Sequence, residues 1–123
     1  IIDADVINLG INYAIVVDGI SNETLVLQNV NTKLKDYLII ENFQIDQPIL
    51  KTDLMNIIIN TQGVLSLVEI NVVNKIGTED GIRTYSGTSM NIDGATINQI
   101  IFPPDGGIFE VKFPDFDIVG STI

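Results

Sequence analysis

The sequence predicts an α+β fold: a strand-helix-strand-helix-strand unit with two helices on a small mixed sheet, then a β-rich hairpin extension. Three observations point there. Isoleucine fills 23 of the 123 positions, joined by 11 valines and nine threonines, and β-branched residues favour strands. Apolar spacing switches between the period of about two of a strand and the period of about 3.6 of a helix. Composition then changes at Asn74: all nine leucines lie at or before Leu67, whereas seven of the ten glycines and three of the four prolines lie after Asn74. Residues 1–74 therefore read as the α+β unit, and residues 75–123 as a β-rich extension with an aromatic C-terminal tail.

Leu9, Ile11, Tyr13, Ile15 and Val17 alternate with Gly10, Asn12, Ala14, Val16 and Asp18, which gives a strand one strongly apolar face. Asp18-Gly19 ends it. Ser21 or Asn22 can cap the helix that follows, with Glu23 favourable at the positive end of its dipole. Val26, Val30, Leu34 and Leu38 recur at every fourth position, so this helix rests one stripe on the sheet. Asn22-Glu23-Thr24 also matches a glycosylation sequon, but capping already accounts for its polar residues. Phe43, Ile45, Gln47 and Ile49 form a weaker alternation, and Pro48 confines that strand to a short or edge position. The helix between the first two strands suits a right-handed parallel crossover. Thr52 is a good N-cap, and Asp53 a good first-turn residue, for a short helix buried through Leu54, Ile57 and Ile58. Gly63 falls where a left-handed C′ glycine closes that helix. Residues 64–73 form a long strand interrupted only by Ser66, Glu69 and Asn71, which predicts partial cover on both faces.

Beyond Asn74, Gly77, Gly81, Gly87 and Gly94 separate Ile82, Tyr85, Met90 and Ile92, the pattern of short hairpin strands or an ordered loop. Ile97, Ile100, Ile101 and Phe102 lead into Pro103-Pro104-Asp105-Gly106-Gly107. Proline fixes φ, aspartate bonds back to the chain and glycine permits positive φ, so Gly106 and Gly107 mark a structural turn. A β-hairpin is expected across it, with Ile108, Glu110 and Lys112 on one face and Phe109, Val111 and Phe113 on the other. Phe116, Ile118 and Val119 follow in an extended segment.

Composition also excludes chemistry. The chain has no histidine and no cysteine, which removes disulfides, thiolate catalysis, His- or Cys-based zinc sites and Ser-His-Asp triads. Net charge is −10 from 16 acidic and six basic residues, spread along the chain with no basic stripe. Nucleic acid and anionic membranes are therefore not expected partners. No apolar run approaches the roughly 18 residues of a membrane span. The start at Ile1-Ile2-Asp3 lacks a basic n-region and an initiator methionine, which suggests a fragment or a processed product.

The candidate sites are few. Glu110, Asp115 and Asp117 can be read as a calcium or acid/base cluster, but no calcium-loop spacing surrounds them, and a solvated strand face beside Lys112 explains them as well. Arg83, the sole arginine, lies between Gly81 and Gly87 among hydroxyl residues and can be read as a phosphate or carboxylate site, or as a plain surface loop. Four of the five phenylalanines fall in the last 22 residues. They either pack back onto the first unit as core or dock on a neighbouring protein. Phe102, Ile108, Phe109, Phe113, Phe116 and Ile118 are thus the interface candidates. No catalytic, cofactor-binding or metal residue is assigned, and the chain reads as a non-enzyme. The alternative is a small acidic ligand-binding or enzymatic α+β domain that uses Arg83 and the tail carboxylates.

Gln44-Ile45-Asp46-Gln47-Pro48-Ile49, Lys51-Thr52-Asp53-Leu54-Met55-Asn56-Ile57-Ile58 and Thr61-Gln62-Gly63-Val64-Leu65-Ser66-Leu67 together resemble the C-terminal region of baseplate J-like proteins. These are the wedge proteins of contractile-tailed phages and related injection machines. The family shows an extended G-x-x-I segment, a short helix, Gly-Val and a strand; Gln47 stands where a glycine is common. Residues 107–120 are similar to the tail of the large wedge protein of myovirus-type phages. The resemblance implies a C-terminal fragment of a structural component of the tail baseplate, in the ring around the tail tube. It implies a virion location after assembly in the host cytoplasm, and an oligomeric ring. Implied partners are other copies and other baseplate or sheath-initiator proteins. It implies no cofactor.

Overall fold

The computed structural model describes residues 5–39, 47–79 and 83–123 of the chain. The α+β class, and the strand-helix-strand-helix-strand order with a β-rich stretch after it, are those the sequence predicts. The alternation around Tyr13 becomes β1 (Asp5–Val17), the spine of the molecule. Ile7, Leu9, Ile11, Tyr13 and Ile15 point to one side of it and are at most 3% exposed. Full burial of each such side chain contributes roughly 1.5–3 kcal/mol, so this one face carries a large share of the hydrophobic stabilisation.

Two helices cover that face. In α1 (Glu23–Tyr37), Asn22 is the cap, its Oδ1 accepting from the Leu25 amide at 3.1 Å. Val26, Val30 and Leu34 turn inward, with Leu38 buried just past the last turn. In α2 (Lys51–Ile59), Leu54 and Ile58 are buried and join the same core. Thr52 does not cap α2. The two-residue β2 (Ile49–Leu50) runs straight into the helix, so the extended Leu50 takes the cap position without a side-chain bond. The Lys51 amide, free of any helical partner at that end, bonds to the Gln99 carbonyl at 2.8 Å. Phe43 and Ile45, expected in the same strand, lie outside the described residues.

Gly63 has positive φ (+96°), but it belongs to the turn into β3 (Val64–Asn74) and does not close α2. Thr61 closes it. Its hydroxyl donates to the Ile57 carbonyl at 2.8 Å and its amide to the Ile58 carbonyl at 3.2 Å.

β3 pairs antiparallel with one edge of β1. The other edge receives two strands of the extension end to end, both parallel: β8 (Gly107–Glu110) beside Asp5 to Asn8, and β9 (Ile118–Thr122) beside Ile11 to Ile15. Residues 75–123 therefore complete the sheet of residues 1–74 and share its core. Phe109 and Ile118, two interface candidates, are 1% and 3% exposed for this reason. They are core residues, since each lies on the helix-facing side of a strand next to β1.

The parallel crossover expected between the first two strands is not made. β2 joins a separate three-stranded sheet with β7 (Ile100–Ile101) and β6 (Thr96–Ile97). β6 and β7 form a two-residue hairpin on Asn98 and Gln99, both at positive φ (53° and 67°), as a type I′ turn requires. The hairpin expected across the Pro-Asp-Gly segment is absent for the same reason: β7 already has partners on both sides. The turn itself exists, with the Gly107 amide on the Pro104 carbonyl at 2.8 Å and Gly106 at φ +77°. It carries the chain from one sheet to the other. Gly107 is needed there for space, since a Cβ would meet Ile7 Cδ1 and the Pro104 carbonyl oxygen at 2.9 Å.

Cover on both faces of β3 is not found either. Leu65, Ser66, Val68, Glu69 and Asn71 are exposed. Leu65 and Val68 are the extra residues at the two register shifts against β1, so both are bulged outward.

Candidate interaction surfaces

The helix-free face of the main sheet has two halves. Its upper half, at Val6, Asn8 and Gly10 of β1, is covered by the extension through a polar network. Asn8 is buried; its Nδ2 donates to Glu110 at 2.8 Å, and its Oδ1 accepts the Ser86 amide at 2.7 Å. Ser86 donates its hydroxyl to the Val6 carbonyl. Asn74 bridges the Asn8 carbonyl to the Thr88 carbonyl and accepts the Met90 amide. These bonds dock residues that form almost no strand of their own. Among the described residues β4 (Thr78–Glu79) and β5 (Arg83–Thr84) pair only with each other; Gly81 and Ile82 lie outside the described residues.

The lower half is only partly covered. Asn12 is exposed, Val16 half-buried and the small Ala14 buried at 8% exposure, flanked by Val119, Ser121 and Ile123 on one side and by Leu65, Ser66, Val68 and Glu69 on the other. Leu65, Val68, Val119 and Ile123 are all exposed. An exposed sheet surface is ordinary when it is polar; this one has four large apolar side chains around small central residues, the chemistry of a contact surface. Along residues 64–70 the outer edge of β3 has no strand partner among the described residues.

The excursion between β8 and β9 is a single helical turn, α3 (Pro114–Asp117), where an extended segment was expected. Proline at its first position and the Asp117 amide on the Phe113 carbonyl (2.8 Å) set it. Phe116 projects outward, 62% exposed, and the Arg83 guanidinium stacks on its ring at 4.5 Å. Phe113 is half-buried and meets Tyr85 edge-on at 5.5 Å. Asp117 is not on a solvated face. It is 2% exposed, takes a hydrogen bond of 2.7 Å from the Tyr85 hydroxyl, and its Oδ2 has no hydrogen-bond partner among the described residues.

A third feature lies on the helical layer. Tyr37, Asp36 and Lys33 of α1 face Asp53, Asn56 and Ile57 of α2 across an open groove of about 510 Å³. The Tyr37 hydroxyl donates to Asp53 at 3.0 Å. Desolvation first, and the Asp53 carboxylate second, push the Tyr37 phenol up to about 12.

The remaining interface candidates divide. Phe102 is exposed and borders a groove of about 440 Å³ with Met90, Ile97, Pro103 and Pro104. Ile108 is half-buried in β8. The tail carboxylates have separate partners: Glu110 accepts from Asn8, Asp115 bridges to Lys35 at 3.3 Å, and Asp117 accepts from Tyr85. Among the described residues no group of three or more carboxylates is arranged to hold a metal ion. Sequence reading missed the exposed apolar group on the lower half, because it forms only once β9 is placed beside β1. No family model matches this chain, and no curated protein matches it significantly.

Proposed function

We propose that the chain is a structural module of a contractile-tail baseplate wedge, joining neighbouring subunits in the ring around the tail tube without catalysing a reaction. The observation that carries the reading is the group of exposed apolar side chains Leu65, Val68, Val119 and Ile123 around the lower half of the sheet. Buried against neighbours, such a face contributes where a solitary protein would leave it wet. The resemblance of residues 44–67 and 107–120 to baseplate J-like wedge proteins supplies the setting. In that setting the partners are other copies of the chain and other baseplate or sheath-initiator proteins, in the virion tail. Many copies in a ring make individually weak contacts collectively strong. Separate partners for Glu110, Asp115 and Asp117 favour this reading over a ligand-binding or enzymatic domain.

Electron cryo-microscopy of the particle that carries the chain tests the reading. The expected map shows symmetric copies around the tail tube, with Val119 and Leu65 covered by a neighbour. A single copy with no symmetric neighbour overturns it.

A further inference from the structure

Along residues 64–70 the outer edge of β3 offers backbone N–H and C=O groups with no strand partner among the described residues. The usual protections of such an edge are thin here. The stretch holds no lysine and no proline, and its two bulges push Leu65 and Val68 outward, where a guarded edge presents charge. The helical layer adds a second apolar border. α2 packs beneath β3, whereas α1 packs toward β9. Asp53, Asn56, Ile57 and Asn60 of α2 face α1. Helical spacing therefore turns Met55 and Ile59 to the opposite flank, the side of the open edge. Ile59 is 48% exposed there. A strand laid along this edge would meet Leu65 and Val68 on one face and Met55 and Ile59 on the other.

We infer that residues 64–70 of β3 accept an extended segment of a different protein as an added strand. That segment carries apolar side chains on both faces and a lysine or arginine beside Glu69. In this mode main-chain bonds give affinity and alternate side chains give selectivity. The inference deepens the baseplate reading and takes from it only that a neighbouring protein exists. Charge selects the occupant. Residues 8–32, 52–74 and 113–123, which build this half of the sheet and the α2 flank beside it, contain no lysine or arginine. Glu69 is exposed, and its cross-strand neighbour on β1 is Ala14. A cation on the added strand supplies the opposite charge that β1 does not. A second copy pairing through the same edge would instead bring two Glu69 carboxylates into one short ladder without a cation. Like charge opposes that arrangement.

Titration of the full 123-residue chain with short capped peptides, followed by backbone amide shifts and hydrogen exchange, tests this. The probe is a peptide of alternating valine and lysine. Binding is expected, with new exchange protection along residues 64–70 and weakening as salt rises. A valine–glutamate peptide should bind about tenfold more weakly or worse. So should a valine–lysine peptide of equal charge with a central proline, because proline cannot donate to the ladder. Glu69→Lys should reverse the preference between the lysine and glutamate peptides, and Ile59→Ser should weaken both. Ile20→Ser, at an exposed turn away from the edge, should change nothing. The peptide comparisons use the unaltered chain, so they carry the test should a variant fail to fold. Equal binding of the proline peptide, or protection elsewhere in the chain, overturns the inference. So does self-association of the chain that protects residues 64–70 without any peptide. These outcomes leave the baseplate reading standing, since that reading falls only with a particle that lacks symmetric copies.

Discussion

Gly120 shows how little room the inner face leaves. A Cβ there would fall 2.6 Å or less from the Tyr13 ring. The ring lies across Gly120 so that its hydroxyl can donate to Asn31 of α1 at 2.5 Å. Gly120→Ala should therefore destabilise the chain by about 1–3 kcal/mol through overpacking, read as a lower midpoint in denaturant melts. A smaller residue at position 13 should recover part of that loss, because the two sites share one contact. The tyrosines give a pH signature as well. Burial raises the phenol of Tyr13, and burial with the Asp53 carboxylate raises that of Tyr37 from 10.0 to about 12. The folded state thus holds these protons more tightly than the unfolded chain. This contribution is complete below pH 10 and is lost as pH rises from 10 toward 12. Chemical melts should show stability falling across that window, and Tyr37→Phe should make the fall shallower.

The elements with strong local periodicity were legible. β1 shows the period of a half-buried strand, and α1 shows the period of an amphipathic helix with a capping asparagine. Elements whose bounds depend on distant partners were not. β2 is short because β7 pairs it only at Ile49 and Leu50, and that pairing moves the start of α2 ahead of Thr52. The Asn98–Gln99 hairpin carries a weak signal, an asparagine followed by a residue other than glycine, so its type I′ turn went unread. β8 and β9 lie beside β1 along one edge, where a hairpin and an extended tail were expected. Their own residues mark apolar strands but not the partner. Of the interaction surfaces, the exposed tail aromatics Phe102 and Phe116 were legible from their crowding in a turn-rich stretch. The α1–α2 groove was not, because it needs two helices set side by side.

The two stretches on either side of Asn74 differ in composition, yet they close one sheet. Without β8 and β9, one edge of β1 has no partner and Phe109 and Ile118 leave the core. A chain ending at Asn74 should therefore fail to show a cooperative thermal transition; a sharp two-state melt would disprove the shared core. Missing histidine and cysteine, strand-rich composition, the helix stripes and the acidic charge all follow from local residue identity, and they fix the fold class and the chemistry the chain lacks. Which strand lies beside β1, which phenylalanines are buried and which half of the sheet stays partly exposed depend on contacts such as Asn8–Glu110, 102 residues apart. Local spacing records only what near neighbours require. Pairing at that range is chosen by the combined burial and hydrogen bonding of the whole sheet, so it emerges only when the chain has closed on itself.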